Sequence, residues 1–209
     1  MNSLSTRHQH GVGASSAFHS LAFSLVELLV VVAIIGIMAS IVVPAFSSIS
    51  AASGITRGGQ LLGDQIILAR QEATTRNRDV EVRLIDMTNG ISSGITGIQL
   101  WVGDESGNFS PLGKLQKLPE SVVVSSNTLY SPLLNLGNGT MTNSGPAANR
   151  PYKAFRIRAT GSPSGSSAIS AANNFLTIIL ERDASKIPPD NYYSVSVNPV
   201  TSKVKIYRP

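Results

Sequence analysis

A long apolar segment near the N-terminus constrains this chain more than any other feature. Residues 23–43 contain a single charged side chain, that of Glu27. A helix over this range would be roughly 32 Å long at 1.5 Å per residue, enough to cross a hydrocarbon core of roughly 30 Å. An unpaired carboxylate in such a helix costs about 2.5–3.5 kcal/mol or more, so it is a functional hypothesis by default. The segment predicts one membrane-spanning helix and a partner for Glu27.

The flanks of the segment indicate that it is retained and fix its expected orientation. An ordinary secretory signal is cut at a small-residue site after its apolar region, but here Pro44, Ala45 and Phe46 follow Val43. The polar residues before the segment include Arg7 and no acid. The positive-inside rule therefore predicts a cytoplasmic N-terminus and an extracytoplasmic C-terminal part. No second apolar run of this length occurs, which predicts a single-pass protein.

Composition bounds what the rest of the chain does. The 209 residues contain no cysteine, and the formal net charge is +5. Beyond the apolar segment, enough residues remain for one domain with its own core, and that domain has no disulfide to stabilise it. The modest positive charge permits weak attraction to nucleic acid or anionic lipid but does not require it. Nucleic acid is therefore not the expected main partner.

After the apolar segment, the spacing of apolar residues predicts first a helix and then strands. Leu62, Ile66, Ala69 and Ala73 are spaced as one face of a helix that ends near Asn77. Alternating runs follow at Val80–Leu84, Ile98–Val102, Phe155–Ile157, Tyr193–Val197 and Val204–Ile206, with apolar runs at 121–125 and 175–180. Runs of this kind between Gly, Pro, Asn and Ser predict antiparallel strands. The expected fold is α+β, with a long helix packed on an antiparallel sheet.

Few residues are suited to catalysis or metal binding. The three histidines all precede residue 20, and cysteine is absent. Thiol and histidine chemistry and the usual zinc sites are thus excluded from the rest of the chain. Asp104, Glu105 and Asn108 on a glycine-flanked turn are compatible with Ca²⁺, although a solvated turn is the simpler interpretation. Asp183, Asp190 and Asn191 have the same two interpretations. We expect no enzyme activity, cofactor or resident metal.

One group of basic residues is the candidate for nucleic-acid contact. Alternate positions on predicted strands place Arg156 with Arg158, and Lys203 with Lys205. Together with Arg208 these cations are expected to form a basic sheet face, and such a face contacts phosphates. Ordinary solvent-facing strand positions are the competing interpretation.

The N-terminal motif resembles the signal of type IV pilins and type II secretion pseudopilins. The resemblance rests on Ala22 followed by Phe23, on the order Phe-Ser-Leu-Val-Glu, and on the long apolar run that ends at Pro44. It implies cleavage between Ala22 and Phe23 by a prepilin peptidase, N-methylation of Phe23, and a helix kink at Pro44. Ala22 stands where the family usually has glycine.

Looser resemblances narrow the branch of the family. The stretches around 61–84 and 193–204 resemble the minor pseudopilin H and FimT-like branch, and the pilin-like cassette proteins of Verrucomicrobia are an alternative. The implied organisation is a leader at 1–22, a transmembrane helix at 23–44, its amphipathic continuation at 45–78 and a β-rich extracytoplasmic domain at 79–209.

The resemblance and the charge argument lead to one expected mechanism. After cleavage, the Glu27 carboxylate of one subunit pairs with the Phe23 ammonium group of a neighbour, which sets their register. The expected function is a minor pseudopilin-like subunit of a type II secretion pseudopilus in the inner membrane. Its expected partners are other pilins, the prepilin peptidase, the assembly platform and membrane lipid. A type IV pilus minor pilin for adhesion or motility, or a DNA-capturing minor pilin, are the alternatives.

Overall fold

One long helix and twelve short strands build the described part of the chain. The computed structural model describes residues 24–88, 94–142, 145–164, 169 and 172–208. The chain divides into two compact units, Met1–Pro44 and Ala45–Pro209. Helix α1 is Leu25–Arg76, so it contributes to both units. The predicted α+β class, a long N-terminal helix with antiparallel strands, is confirmed.

The end of helix α1 is set by an asparagine in a left-handed conformation. Asn77 follows the last helical residue and has φ +51°, a conformation that Asn tolerates better than most residues. The Arg78 N–H then donates to the Ala73 carbonyl at 3.1 Å. This is the hydrogen bond of a Schellman motif, in which the chain reverses and satisfies an orphan carbonyl. The first strand begins at Val80, three residues after Asn77.

The strands form two antiparallel sheets. In chain order they are β1 Val80–Ile85, β2 Gly94–Ile95, β3 Gly97–Gly103, β4 Phe109–Pro111, β5 Gln116–Lys117, β6 Val122–Ser125, β7 Asn138–Thr140, β8 Pro151–Ile157, β9 Pro163–Ser164, β10 Phe175–Leu180, β11 Tyr192–Val197 and β12 Val204–Tyr207. The larger sheet has the order β4-β3-β1-β8-β7, with β5 also paired to β3 and β9 to β8. The smaller sheet has the order β12-β11-β10-β6-β2. Every predicted strand is present, and the strands are divided between these two sheets.

The second half of helix α1 shares one hydrophobic core with both sheets. The four residues predicted as its buried face, Leu62, Ile66, Ala69 and Ala73, are all 0% exposed. The same core contains Val82 of the larger sheet and Ile178 of the smaller sheet. Alternation along the strands places every second residue in this core. The helix-period pattern of the sequence therefore identified the contact face correctly.

Glycines in this part of the helix allow its backbone to approach the smaller sheet closely. A Cβ added at Gly59 would lie 2.0 Å from the ring of Tyr193. At Gly58 it would lie 3.0 Å from Val122, and at Gly54 3.2 Å from the same side chain. By helix propensity alone, glycine only weakens a helix. The packing role of these glycines is visible only once the distant strands are in place.

The outer face of the larger sheet, opposite the core, is organised around a buried arginine. Arg83 is 8% exposed, and its guanidinium donates two hydrogen bonds to Glu81 Oε2, from Nε at 3.0 Å and from Nη2 at 2.8 Å. It also lies 3.9 Å from the ring centroid of Trp101 and 4.4 Å from that of Tyr152. Ion pairing and cation–π contact together offset the cost of burying this charge.

A second, smaller hydrophobic cluster surrounds Arg83. Its buried members are Ile85, Trp101, Met141 and Ala147. Met141 and Ala147 belong to the loop after β7, which therefore lies against the outer face of the sheet. The chain between β6 and β8 therefore contains a 3₁₀ helix, Pro132–Asn135, and strand β7 before these loop residues.

Candidate functional site

The apolar segment is a helix whose described side chains are exposed. Leu25–Val42 is the described helical stretch that is long and apolar enough to cross a membrane, and none of it is buried. Its large apolar side chains are exposed, for example Leu25 at 78% and Ile41 at 70%. Burial of this much apolar surface needs lipid or another protein.

Glu27 lies in the first turn of helix α1. The helix begins directly after Ser24, whose carbonyl accepts the Leu28 N–H at 3.1 Å. Unpaired N–H groups give this end of a helix a partial positive charge, which favours a carboxylate in the first turn. Ser24 and Glu27 also have the Ser-x-x-Glu spacing of a helix N-terminus. This spacing is a local signal from which the start of the helix could have been predicted.

Small residues lie along the same exposed segment. Apart from its chain neighbours and the adjacent backbone of its own helix, a Cβ added at Gly36 would have no heavy atom within 4 Å. The Ser40 hydroxyl donates to the Ile37 carbonyl of its own helix at 2.7 Å. Small residues on a membrane helix allow close approach by another helix. Within the described chain, nothing occupies the space beside Gly36.

The other predicted site residues in the N-terminal motif are Ala22, Phe23 and Pro44. Ala22 and Phe23, the predicted cleavage and methylation positions, lie outside the described residues. Helix α1 continues through Pro44, and the division between the two compact units comes directly after this residue. The kink at Pro44 stays a prediction.

The four cations proposed for nucleic-acid contact do not share one sheet. Arg156 is on β8 of the larger sheet, where its guanidinium lies 4.5 Å from the ring centroid of Phe109; Arg158 directly follows that strand. Lys203 and Lys205 are exposed at β12, the edge of the smaller sheet. Arg208 donates to the Thr56 hydroxyl of helix α1 at 2.8 Å. The expected single basic sheet face is therefore wrong, because strand pairing separates the two cation pairs.

The carboxylates weighed as Ca²⁺ ligands already have partners. Asp104 accepts the Asn108 N–H at 2.8 Å, and this backbone hydrogen bond, opposed by some desolvation, lowers the pKa of Asp104. Glu105 is paired with Arg78. Lys186 binds both Asp190 and Asp183, and the hydrogen bond to Asp190 is the main reason that the pKa of this lysine is raised. Among the described residues, no cluster of three acids or histidines has the arrangement of a metal site.

Comparison with known proteins supports the N-terminal motif directly. A family profile described as the prokaryotic N-terminal methylation motif matches residues 19–43. This range contains Ala22, Phe23, Glu27 and the whole exposed apolar stretch Leu25–Val42. The predicted prepilin-type signal is thereby confirmed. No curated protein sequence matches the chain.

Solved structures with some likeness are minor pilins and pseudopilins. Two structures of the minor pseudopilin EpsH from the type II secretion system of Vibrio cholerae have 12% and 13% identity and TM-scores of 0.44 and 0.46; they cover 74% and 76% of this chain and 97% and 96% of EpsH. The type IV minor pilin FimU of Pseudomonas aeruginosa has 12% identity and a TM-score of 0.39, with 74% and 87% covered. At such values, the likenesses carry no functional information.

Proposed function

We propose that this chain is a pilin-like subunit that is cut before Phe23, methylated there and assembled through its N-terminal helix into a filament. The observation that carries the proposal is the coincidence of the methylation motif at 19–43 with Leu25–Val42, a helical stretch in which no residue is buried. Before assembly, lipid covers this surface in a single-pass inner-membrane protein. After assembly, the helices of neighbouring subunits cover it.

Glu27 guides the docking step in this proposal. Cleavage creates an α-ammonium group on Phe23, one helical turn before Glu27. Within one subunit, the carboxylate is at the positive end of its own helix. In an apolar filament core, the ammonium group of a neighbour offers a full opposite charge, and removing either partner would leave a buried charge unpaired. The pair therefore selects one axial register between subunits.

The finer assignment is a minor pseudopilin of a type II secretion pseudopilus. It follows from the resemblance of residues 61–84 and 193–204 to the H and FimT-like branch. The prepilin peptidase and an inner-membrane assembly platform are its other partners, and the β-rich unit is extracytoplasmic. The subunit acts by assembly and not by catalysis. A type IV pilus minor pilin is the second candidate, because the N-terminal motif serves both systems equally.

Mass spectrometry of the membrane-bound form tests processing. The expected mass is that of residues 23–209 with one added methyl group, and the expected first residue is Phe23. A form that still begins at Met1, or that is cut after Pro44, would contradict the proposal. Ala22→Gly is the informative variant, because it restores the family's usual residue and is expected to leave the product unchanged while cleavage speeds up.

Assembly is tested with Glu27→Leu in cells that produce the filament. We expect normal membrane insertion, since an apolar residue replaces the charge, but at least a tenfold loss of incorporation into sheared filaments. Val26→Leu, on the neighbouring exposed position, is the matched control and is expected to assemble. Glu27→Asp keeps the charge and is expected to retain part of the activity. Normal incorporation of Glu27→Leu would remove the docking role.

A further inference from the structure

A cavity of about 450 Å³ opens between one edge of the larger sheet and the loop residues Met141 and 145–148. Gln99 of β3 is at one side, and the chain from Pro111 to Lys117 forms another. This volume is within the range of ligand pockets, roughly 300–1,000 Å³. The cavity belongs to the compact unit Ala45–Pro209 and involves none of the apolar segment.

The floor of the cavity is apolar, and its residues are held by packing and hydrogen bonds within the domain. Met141 and Ala147 line the cavity and belong to the buried cluster around Arg83. Leu115 packs on the same cluster from the sheet edge. The Gln99 side chain is fixed at both ends, since its Nε2 donates to the Gly113 carbonyl at 2.8 Å and its Oε1 accepts from Trp101 Nε1 at 3.3 Å. A floor that is ordered without a ligand lowers the entropy cost of binding.

The rim of the cavity is cationic. Lys114 and Lys117 both line it and are exposed, and no carboxylate is among its lining residues. Elsewhere in the described chain, the ion pairs use Arg76, Arg78, Arg83 and Lys186. The two rim lysines have no place in those pairs, so their charges are open to an outside partner.

The sheet edge beside the cavity offers backbone groups as well. Strands β4 and β5 both pair with β3, and in the described part of the chain neither pairs with another strand on its outer side. An open edge recognises an extended peptide through its main chain, while neighbouring pockets read alternate side chains. Two lysines and an apolar floor at such an edge suit a peptide with acidic and apolar residues in alternation.

We propose that this cavity binds an extended acidic segment of another protein, with an apolar side chain in the pocket and flanking carboxylates at Lys114 and Lys117. A small inorganic anion would pair with the lysines but leave the apolar floor exposed. A peptide pairs its carboxylates with the lysines and covers the apolar floor with a side chain. This site is independent of the proposed filament function, because no residue of the N-terminal motif takes part in it.

The test uses the full chain in a non-ionic detergent and the peptide Glu-Leu-Glu-Gly-amide, with fluorescein on its N-terminal amine, as the probe; acetyl-Glu-Leu-Glu-Gly-amide is the unlabelled form. Fluorescence anisotropy measures binding. Emission from Trp101, the one tryptophan in the sequence, gives an unlabelled readout through its hydrogen bond to Gln99. We expect saturable binding that weakens as salt screens the exposed lysines. The matched peptide acetyl-Gln-Leu-Gln-Gly-amide is expected to bind about tenfold more weakly.

Two kinds of variant separate charge from shape. Lys114→Gln with Lys117→Gln is expected to weaken binding about tenfold, whereas Lys203→Gln with Lys205→Gln, an equal charge change on the other sheet, is expected to leave it unchanged. Ala148→Leu narrows the cavity without changing charge and is expected to weaken binding of both peptides. Circular dichroism verifies that each variant is folded.

Several results would overturn the proposal. Equal binding of the Glu and Gln peptides would show that the lysines do not recognise carboxylates. Competition by inorganic phosphate as effective as competition by unlabelled peptide would show a simple anion site. Binding that is unchanged in both the lysine variant and Ala148→Leu would place the peptide elsewhere. Each of these results leaves processing at Phe23 and the role of Glu27 untouched.

Discussion

The two halves of helix α1 use small residues in opposite ways. In the second half, Gly58 and Gly59 are buried, and side chains of the smaller sheet occupy the space beside them. In the first half, apart from the chain neighbours and adjacent backbone of Gly36 itself, no described atom comes within 4 Å of a Cβ placed there. A glycine costs helix stability by up to about 1 kcal/mol in water. The second half recovers that cost within the same molecule, while the first half needs a surface from outside it.

The same contrast holds for the large apolar side chains. Ile66 is 0% exposed and Ile34 is 52% exposed, although both are isoleucines in one helix. Sequence alone does not distinguish them by hydrophobicity. What distinguishes them is periodicity, since apolar residues recur on one face in the second half and on all faces in the first. A helix that is apolar all round is buried in a membrane or a core.

The largest effect is expected from truncating a side chain in the packed half. Ile66→Ala leaves a cavity between the helix and both sheets and is expected to lower the free energy of unfolding by about 2–5 kcal/mol. Urea unfolding of the full chain in detergent, followed by Trp101 fluorescence, measures it, because Trp101 is 4% exposed and is in the β-rich unit.

Ile34→Ala is the control for that experiment. It removes the same atoms from the same helix but is expected to leave the Trp101 transition unchanged. An equal loss of stability in both variants would mean that the apolar half packs within its own chain, and the comparison would fail.

A smaller loss of stability is expected from adding a methyl group where neighbouring atoms already fill the space. Gly59→Ala adds one methyl group that overlaps the ring of Tyr193, so the ring or the helix has to shift. Overpacking of this kind costs about 1–3 kcal/mol. The better helix propensity of alanine offsets at most about 1 kcal/mol of it. The same urea titration measures the net loss, and a gain in stability would show that the helix is not in close contact with Tyr193.

The buried helix face was predictable because its signal is local. The spacing of Leu62, Ile66, Ala69 and Ala73 identifies one face within four turns, and the alternation in β1 and β3 identifies strands in the same way. The contacts of Gly59 were not predictable. Tyr193 is far away along the chain, and which strand faces a given turn of the helix depends on the pairing of both sheets.

The candidate sites also differ in whether their residues are contiguous in the sequence. The prepilin motif is contiguous, so the residues around Ala22, Phe23 and Glu27 were recognisable from the letters. The basic face was predicted wrongly because alternation tells which side of a strand a residue occupies but not which sheet the strand joins. The cavity beside Lys114 and Lys117 needed three separate segments to come together, and no local pattern encodes that.

The smallest expected effect on subunit stability is a gain, and it compares glycines in the two halves of the helix. At Gly63, an added Cβ would lie 3.7 Å from Ile206 Cδ1 and from Val204 Cγ1, which is ordinary van der Waals contact. Gly63→Ala therefore keeps the packing and gains helix propensity, so we expect it to raise the free energy of unfolding by up to about 1 kcal/mol. Gly36→Ala gains no contact in the isolated subunit and is expected to leave the Trp101 transition unchanged. If a neighbouring helix packs on Gly36, that substitution instead reduces incorporation into filaments. Three glycines of one helix then respond to the same added methyl group with a loss, a gain and no change in subunit stability, according to what lies beside each of them.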